Sequence, residues 1–266
     1  MGSDTVFSHS RLSTYETCPR QYRYRYLDLL PVDATGAELH VGSVVHAVLE
    51  RVYGAARTGR VPDLPEARRW FDEEWGRVPA ERLRIVRPGF VVEDYRGLGL
   101  SCLEDYMRRH APFTDGETIA VELQVDIDLG EGTRLVGYID RVVRQGPGVY
   151  EIHDYKTSGS WPRPRDLDAD RQLSLYEMGI RQLHPDVREV LQVWHYLALQ
   201  RRFERRRTAA DLERVRAACR RLIARVREER TWPARPGVLC HWCDYRAACP
   251  EGSAHTDAHP LTGSAE

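Results

Sequence analysis

Lysine is almost absent from this sequence of 266 residues, which contains one lysine, Lys156, against 38 arginines. Arginine serves wherever only a positive charge is needed, whereas lysine offers a compact ammonium whose pKa shifts when it is desolvated. A single lysine in such a background therefore indicates a chemical role. It also excludes a P-loop nucleotide site in this sequence, because that motif needs Gly-Lys-Ser/Thr and Lys156 follows Tyr155.

Net charge and long apolar runs are lacking too. The formal net charge is −1, so no overall field attracts nucleic acid or an anionic membrane, although a local groove could still hold DNA. No apolar run approaches the roughly 18 residues that span a bilayer, and the first residues lack the charged-then-apolar order of a signal peptide. We therefore expect a cytoplasmic protein without a membrane partner. The arginine clusters near Arg20 and Arg205 are typical of solvated faces.

Hydrophobic periodicity predicts a helical first part, a central set of strands and a helical end. The predicted helices are Ser10–Leu30, Gly42–Ala56, Glu66–Trp75, Val91–His110, Asp168–Leu183 and Ala209–Glu229. The predicted strands are Ile119–Leu129, Arg134–Arg144, Val149–Thr157 and Val190–Leu199. The first three strands are joined by short turns and should form an antiparallel meander. This order of elements indicates an α/β or α+β core.

We divide the chain into five segments on this basis. They are an N-terminal helical segment, a helical region around His46, a sheet core, a C-terminal helix followed by cysteines, and a polar tail without periodicity that we expect to be disordered. Their bounds are 1–30, 31–116, 117–207, 208–250 and 251–266.

Three charged residues fall on two strands that are predicted to be neighbours. Asp154 and Lys156 are two residues apart, so they point to the same side of their strand. Pairing with the preceding strand would bring Asp140 beside Asp154. Two carboxylates this close repel unless a proton or a cation bridges them, and oxygen ligands favour Mg²⁺ or Mn²⁺. The bare Asp-x-Lys tripeptide also fits an ordinary ion pair.

Three further polar residues lie on predicted helices. His46 interrupts a helix that is otherwise small and apolar, where a histidine is either a core residue or a ligand. Gln172 and Tyr176 are spaced i, i+4 after the strands, so they share one helix face. Taken alone, they would be a packing pair.

The cysteines indicate a metal site that joins the two ends of the chain. Three of them have C-x2-C-x5-C spacing near the C-terminus, and clustered thiolates in a cytoplasmic chain bind metal more often than they form disulfides. Cys18 is the best candidate for a fourth ligand, because Cys102 and Cys219 fall within predicted helices. Spacing alone leaves zinc and an iron–sulfur cluster open. The four candidates are Cys18, Cys240, Cys243 and Cys249.

Taken together, these residues resemble the PD-(D/E)XK nuclease superfamily, in its RecB-like branch with an iron–sulfur cluster. That branch includes AddB-type nuclease domains and CRISPR-associated RecB-like exonucleases. The resemblance runs in family order over nearly the whole chain. The matching pieces are Ser10–Tyr22, Gly42–His46, Gly137–Asp140, Asp154–Lys156, Gln172–Tyr176 and Cys240–Cys249.

The resemblance implies a fold, a catalytic site and a cluster. The fold would be α/β and restriction-endonuclease-like, with a central mixed sheet flanked by helices, an N-terminal helical region and a C-terminal four-cysteine motif. Lys156, Asp140 and Asp154 would be catalytic, and Gln172 and Tyr176 would form a substrate-side motif. The expected ligands of Mg²⁺ or Mn²⁺ are His46, Asp140, Asp154 and the Tyr155 carbonyl. A [4Fe–4S] cluster is expected on Cys18, Cys240, Cys243 and Cys249, with Zn²⁺ as the alternative.

Two features depart from the pattern of this branch. Asp140 follows Ile139 where a proline is usual, and residues 54–116 form a longer helical insertion whose role is unassigned.

The implied function is a metal-dependent DNA nuclease, expected to be an exonuclease that acts on single-stranded ends through attack of a metal-activated water. Without a P-loop in this sequence, we expect the chain either to work alone or to use a helicase or a CRISPR integrase as a partner. The alternative is a non-catalytic module that binds DNA ends or supports an assembly and retains the same fold. A third reading is a zinc-stapled protein whose strand charges are plain ion pairs.

Overall fold

Helices cover both faces of a sheet in the structure, a computed structural model that describes residues 6–262. The helices are α1 (His9–Thr17), α2 (Pro19–Tyr26), α3 (Ala37–Ala56), α4 (Leu64–Trp75), α5 (Val92–His110), α6 (Pro164–Ala169), α7 (Gln172–Leu183), α8 (Ala209–Glu228) and α9 (Pro250–Ala258). The strands are β1 (Thr35–Gly36), β2 (Leu83–Arg84), β3 (Glu117–Asp128), β4 (Arg134–Gly146), β5 (Val149–Lys156), β6 (Glu189–Tyr196) and β7 (Arg201–Arg205). Within residues 6–262, none of the helices combines the length and the apolarity that crossing a membrane requires.

The central sheet is mixed, with the strand order β3-β4-β5-β6-β7. Strands β3, β4 and β5 form the predicted antiparallel meander, whereas β5 and β6 are parallel and β7 is antiparallel to β6. Helices α6 and α7 make the crossover that a parallel pair requires. The expected α/β class, a central mixed sheet flanked by helices, is confirmed.

Each face of the sheet has its own hydrophobic core. Ile152 and Trp194 are buried on the face covered by α1, α2, α7 and α8. Tyr155 is buried on the opposite face, against Val45 of α3 and Leu103 of α5. Successive residues of β5 therefore face different cores, so both sides of this strand are buried.

The helix predicted over Ser10–Leu30 is wrong in one respect, because it is broken at Cys18. Cys18 has extended φ and ψ of −158° and 112°, and α2 begins at Pro19. A proline cannot donate to a preceding turn, and it forces the residue before it out of helical geometry. The break separates α1 from α2 and leaves the Cys18 side chain at the corner between them.

The helix predicted over Asp168–Leu183 is likewise two helices, α6 and α7. Asp170 is extended, with φ −64° and ψ 116°. Its carboxylate accepts the backbone N–H of Gln172 at 2.6 Å and the indole N–H of Trp194 at 3.0 Å. A short acidic side chain that bonds the backbone two residues on competes with helix continuation.

Two features near the following strand differ from prediction. The strand predicted over Val190–Leu199 ends at Tyr196, where a 3₁₀ turn, Leu197–Leu199, and a left-handed residue, Gln200 with φ 52°, reverse the chain. The arginine cluster after this turn, for which no element was predicted, contains the edge strand β7. Its charges concealed the alternation, because an edge strand can expose both of its sides.

The tail expected to be disordered over 251–266 contains helix α9. Pro250 occupies the first turn, and the Cys249 Sγ accepts the backbone N–H of Gly252 at 3.4 Å. Proline at the first helical position and a side-chain acceptor before it are ordinary start signals. The helix has no apolar face because only Gly252 and Thr256 are buried. Residues 1–5 and 263–266 of the predicted segments lie outside the described residues.

Candidate active site and cysteine pocket

The register of β4 and β5 brings two predicted carboxylates together. Arg141 pairs with His153, so the preceding residue, Asp140, lies next to Asp154 on the neighbouring strand. The Asp140 Oδ2 accepts the backbone N–H of Tyr155 at 2.8 Å. Asp154 is almost completely buried, and burial, opposed by Lys156 and reinforced by the charge of Asp140, raises the pKa of Asp154 to about 6.

Lys156 is held between the strands and helix α7. Its Nζ lies 2.7 Å from the Asp154 Oδ2 and donates to the Gln172 Oε1 at 3.0 Å. The Gln172 Nε2 in turn donates to the Tyr176 hydroxyl at 3.3 Å. Burial would lower the pKa of Lys156, but the adjacent Asp154 outweighs it and the net shift is upwards. Gln172 and Tyr176, which were predicted to share one helix face, are thus linked to Lys156 by hydrogen bonds.

His46 of α3 faces the end of β5. Its Nε2 donates to the Tyr155 carbonyl at 2.7 Å, and its Nδ1 lies 3.4 Å from the Asp140 Oδ2. Burial lowers the pKa of His46, but the hydrogen bond and charge of Asp140, with Asp154 and Tyr155, raise it to about 9. The histidine therefore adds a positive charge beside Asp140, while the Lys156 ammonium lies beside Asp154.

Glu122 belongs to the same cluster, and the sequence reasoning missed it. Potential ligand atoms of His46, Glu122 and Asp140 all lie within 4.8 Å of one another. Burial and then the charge of Asp140 raise the pKa of Glu122 to about 7, although His46 opposes the shift. The β3–β4 register places Glu122 opposite Asp140, a pairing that the structure reveals and that the residues around Glu122 do not mark. Its φ of 44° is unusual for a non-glycine residue and is the kind of local strain found at functional sites.

His46, Glu122 and Lys156 border a cleft of about 780 Å³ between α3 and the sheet. Carboxylates outnumber cations along its wall, since Glu38, Glu50 and Glu122 face His46 and Lys156. Such a lining attracts cations and repels a bare phosphate.

The four predicted cysteines line one separate cavity of about 260 Å³. The backbone N–H of Arg235 donates to the Cys18 Sγ at 3.4 Å, and Gly252 donates similarly to Cys249. Cys102 and Cys219 are buried in α5 and α8, outside this pocket. The structure therefore brings together the four cysteines that the spacing singled out. They are Cys18, Cys240, Cys243 and Cys249.

Hydrogen bonds around the cysteine pocket join the two ends of the chain. The Arg20 backbone N–H donates to the Pro233 carbonyl at 3.3 Å, and the Tyr24 hydroxyl donates to the Ala248 carbonyl at 3.1 Å. Arg84 of β2 donates to the Trp242 carbonyl at 2.8 Å. The helical insertion, the start of the chain and its end thus meet at this pocket.

A family model for the PD-(D/E)XK nuclease superfamily matches residues 6–250. The chain therefore belongs to the PD-(D/E)XK nuclease superfamily. No curated protein matches it.

Two solved structures are similar to the chain. A crystal structure named a "putative exonuclease", from Eubacterium rectale, is 14% identical, with a TM-score of 0.52 over 98% of this chain and 91% of the other. The protein SSO0001 is 11% identical, with a TM-score of 0.37 over 91% of this chain and 94% of the other. The first likeness supports the fold, and the second is too low to support an argument.

Proposed function

We propose that this protein is a metal-dependent DNA nuclease, an exonuclease that acts on single-stranded ends. The observation that carries the proposal is the Lys156–Asp154 pair beside the cluster of His46, Glu122 and Asp140. Family membership supports nuclease chemistry. The name of the similar Eubacterium rectale protein supports the exonuclease assignment.

The donor set suits Mg²⁺ or Mn²⁺. It combines carboxylate oxygens with one imidazole, and burial together with the nearby charge of Asp140 raises the pKa of Glu122, a shift that a bound cation would oppose. A bound divalent cation would orient a water, lower the pKa of that water and neutralise charge on the phosphate. The residues proposed to hold the cation are His46, Asp140, Asp154 and the Tyr155 carbonyl. Glu122 is added because its carboxylate lies in one cluster with His46 and Asp140.

We assign Lys156 an electrostatic role. Its raised pKa keeps the ammonium protonated near neutral pH, so it stabilises negative charge that develops on the phosphate rather than acting as a free base. Gln172 fixes the position of the ammonium through the bond at 3.0 Å, and Tyr176 fixes Gln172. Catalysis by preformed charge requires this kind of fixed position.

We propose a [4Fe–4S] cluster in the cysteine pocket. A zinc ion with Zn–S bonds of about 2.3 Å needs sulfurs about 3.8 Å apart. Within residues 6–262, no three cysteine sulfurs lie within 4.8 Å of one another, which favours a larger group than one zinc ion. The N–H groups that donate to Cys18 and Cys249 suit sulfurs that ligate a cluster. Its role would be structural, because it would join the two ends of the chain.

Cleavage of end-labelled single-stranded DNA with Mg²⁺ or Mn²⁺ tests the nuclease proposal. We expect progressive shortening by the wild type and much slower shortening by Lys156→Ala or Asp154→Ala. Equal activity in all three proteins would end the proposal. Binding of DNA ends without cleavage under either metal would instead favour the non-catalytic module.

Visible absorbance after anaerobic purification tests the cluster. We expect a brown protein that absorbs near 400 nm, as iron–sulfur proteins of the branch that the chain resembles do, with iron near four atoms per chain. Stoichiometric zinc and a colourless protein would contradict it. The strand ends would reach the chain either without a partner or from a helicase or CRISPR integrase.

A further inference from the structure

A row of side chains leads away from Lys156 across the sheet. Lys156 pairs with Tyr196 on β6, and Tyr196 pairs with Arg201 on β7. Residues paired in this way project from the same face, with strands about 4.8 Å apart. Arg201 therefore lies about two strand spacings from the lysine, on the same side.

Aromatic rings continue outward from this row. Phe203, two residues beyond Arg201, packs edge-on against Tyr196 with ring centroids 5.5 Å apart. Trp161, in the segment that follows β5, packs against Phe203 at 5.9 Å. The Trp161 side chain is 61% exposed, so much of its ring is free. We call Tyr196, Arg201, Phe203 and Trp161 the aromatic–arginine track.

The charge on this track is positive and locally unbalanced. Its neighbours Arg202 and Arg205 pair with Glu204 and Asp168. Arg201 is exposed, and none of the carboxylates in residues 6–262 lies within ion-pair distance of it. An exposed tryptophan beside a free guanidinium combines a surface for base stacking with a contact for phosphate.

We propose that the aromatic–arginine track binds single-stranded nucleic acid and leads it to Lys156. The proposal rests on the proposed nuclease function and specifies how that site receives its substrate. A single strand is favoured over a duplex because a duplex hides its base faces from Trp161 and Phe203. Pairing of edge strand β7 with another protein strand is disfavoured by its exposed charges.

Fluorescence anisotropy with labelled oligothymidylate, without divalent metal, tests the aromatic part. We expect Trp161→Ala to weaken binding about 5- to 150-fold, the range for one lost stacking contact. Trp161→Phe, which keeps a ring, should restore most of the affinity. Leu183→Ala is the matched control, because Leu183 is 53% exposed at the opposite end of α7 from Gln172.

The salt dependence of binding tests the arginine. Arg201→Ala should reduce the slope of log affinity against log salt by about 0.7, the value for one phosphate contact on a single strand. Arg69→Ala removes the same charge from an exposed position on α4 and should leave the slope unchanged.

The proposal is overturned if Trp161→Ala binds within twofold of Leu183→Ala, or if the two arginine variants have equal slopes. It is also overturned if Trp161→Ala weakens duplex binding as much as single-strand binding, because base stacking on Trp161 requires the exposed base faces of a single strand. Wild-type protein that cleaves DNA while these variants bind normally retains the nuclease function and loses the track. Wild-type protein that binds through the aromatic–arginine track but does not cleave DNA would keep the track and lose the nuclease function.

Discussion

The active-site cleft and the cysteine pocket are assembled in different ways. Asp140, Asp154 and Lys156 lie close together in the sequence, on adjacent strands whose register sets their spacing. Cys18 and Cys249 come from opposite ends of the chain and meet only when the fold is complete. The cleft therefore depends on local pairing, and the cysteine pocket depends on the whole molecule. A substitution in the cleft should therefore lower the cleavage rate without changing stability, and a substitution in the cysteine pocket should lower stability without changing the cleavage rate.

Loss of the lysine should have the largest effect, and only at the cleft. Lys156→Ala removes the charge beside Asp154, and we expect kcat to fall about 10²- to 10³-fold, as when one stabiliser of a charged transition state is removed. The visible absorbance of the proposed cluster should not change. Single-turnover cleavage and a spectrum of the same sample measure both. Loss of the absorbance would mean that the two regions are coupled.

Loss of one thiol should have the reverse effect. Cys240→Ser should abolish most of the visible absorbance and lower Tm by at least about 5 °C, because a structural group that joins the chain ends no longer stabilises the folded state. Cleavage per folded molecule at low temperature should stay near the wild-type rate. Cys219→Ser, at a buried thiol outside the pocket, is the control. An unchanged spectrum in Cys240→Ser would contradict the cluster assignment.

Glu122 allows a finer test within the cleft. Glu122→Gln removes a charged donor from the cluster with His46 and Asp140, so the Mn²⁺ concentration for half-maximal cleavage should rise about tenfold or more. Glu117→Gln, on the same strand but paired with the exposed Arg144, should leave it unchanged. Similar metal titrations for the two variants would remove Glu122 from the proposed ligands.

Two glycines give the smallest predicted effects, with opposite signs. A Cβ at Gly137 would overlap the Tyr176 ring, whereas one at Gly54 meets nothing within 4 Å. Gly137→Ala should lower the free energy of unfolding by about 1–3 kcal/mol through overpacking. Gly54→Ala, inside α3, should raise it by about 0.5–1 kcal/mol. Denaturant titration measures both changes. A rise in the free energy of unfolding for Gly137→Ala as well would show that the ring of Tyr176 moves aside freely.

The sequence predicted the fold class, and it placed Asp140, Asp154 and Lys156 on neighbouring strands, because hydrophobic period and short turns are local properties. Asp154 and Lys156 could be placed on one side of β5 from their spacing alone. Glu122 escaped because its significance depends on pairing between β3 and β4, and no feature of its own segment marks it. Tertiary partners, and not local pattern, make it a candidate ligand.

The missed elements have a common physical cause. Helix α9 lacks an apolar face, and β7 carries arginines on both sides. Neither element has a periodic hydrophobic pattern in the sequence, because α9 is held at the cysteine pocket and β7 is held by backbone pairing with β6. The break at Cys18 was visible in Pro19, but the apparent periodicity of the flanking aromatics outweighed it.

Tyr155 supports the cleft with atoms that every residue except proline has. Its N–H holds Asp140 and its carbonyl accepts from His46, while its ring lies on the other face of the sheet among Tyr106 and His195. The middle position of the Asp-x-Lys pattern is therefore free to serve the opposite core. Substitutions at residue 155 can therefore change the packing of that core while the two main-chain contacts to the cleft persist. The core behind the sheet can in this way vary independently of the catalytic face.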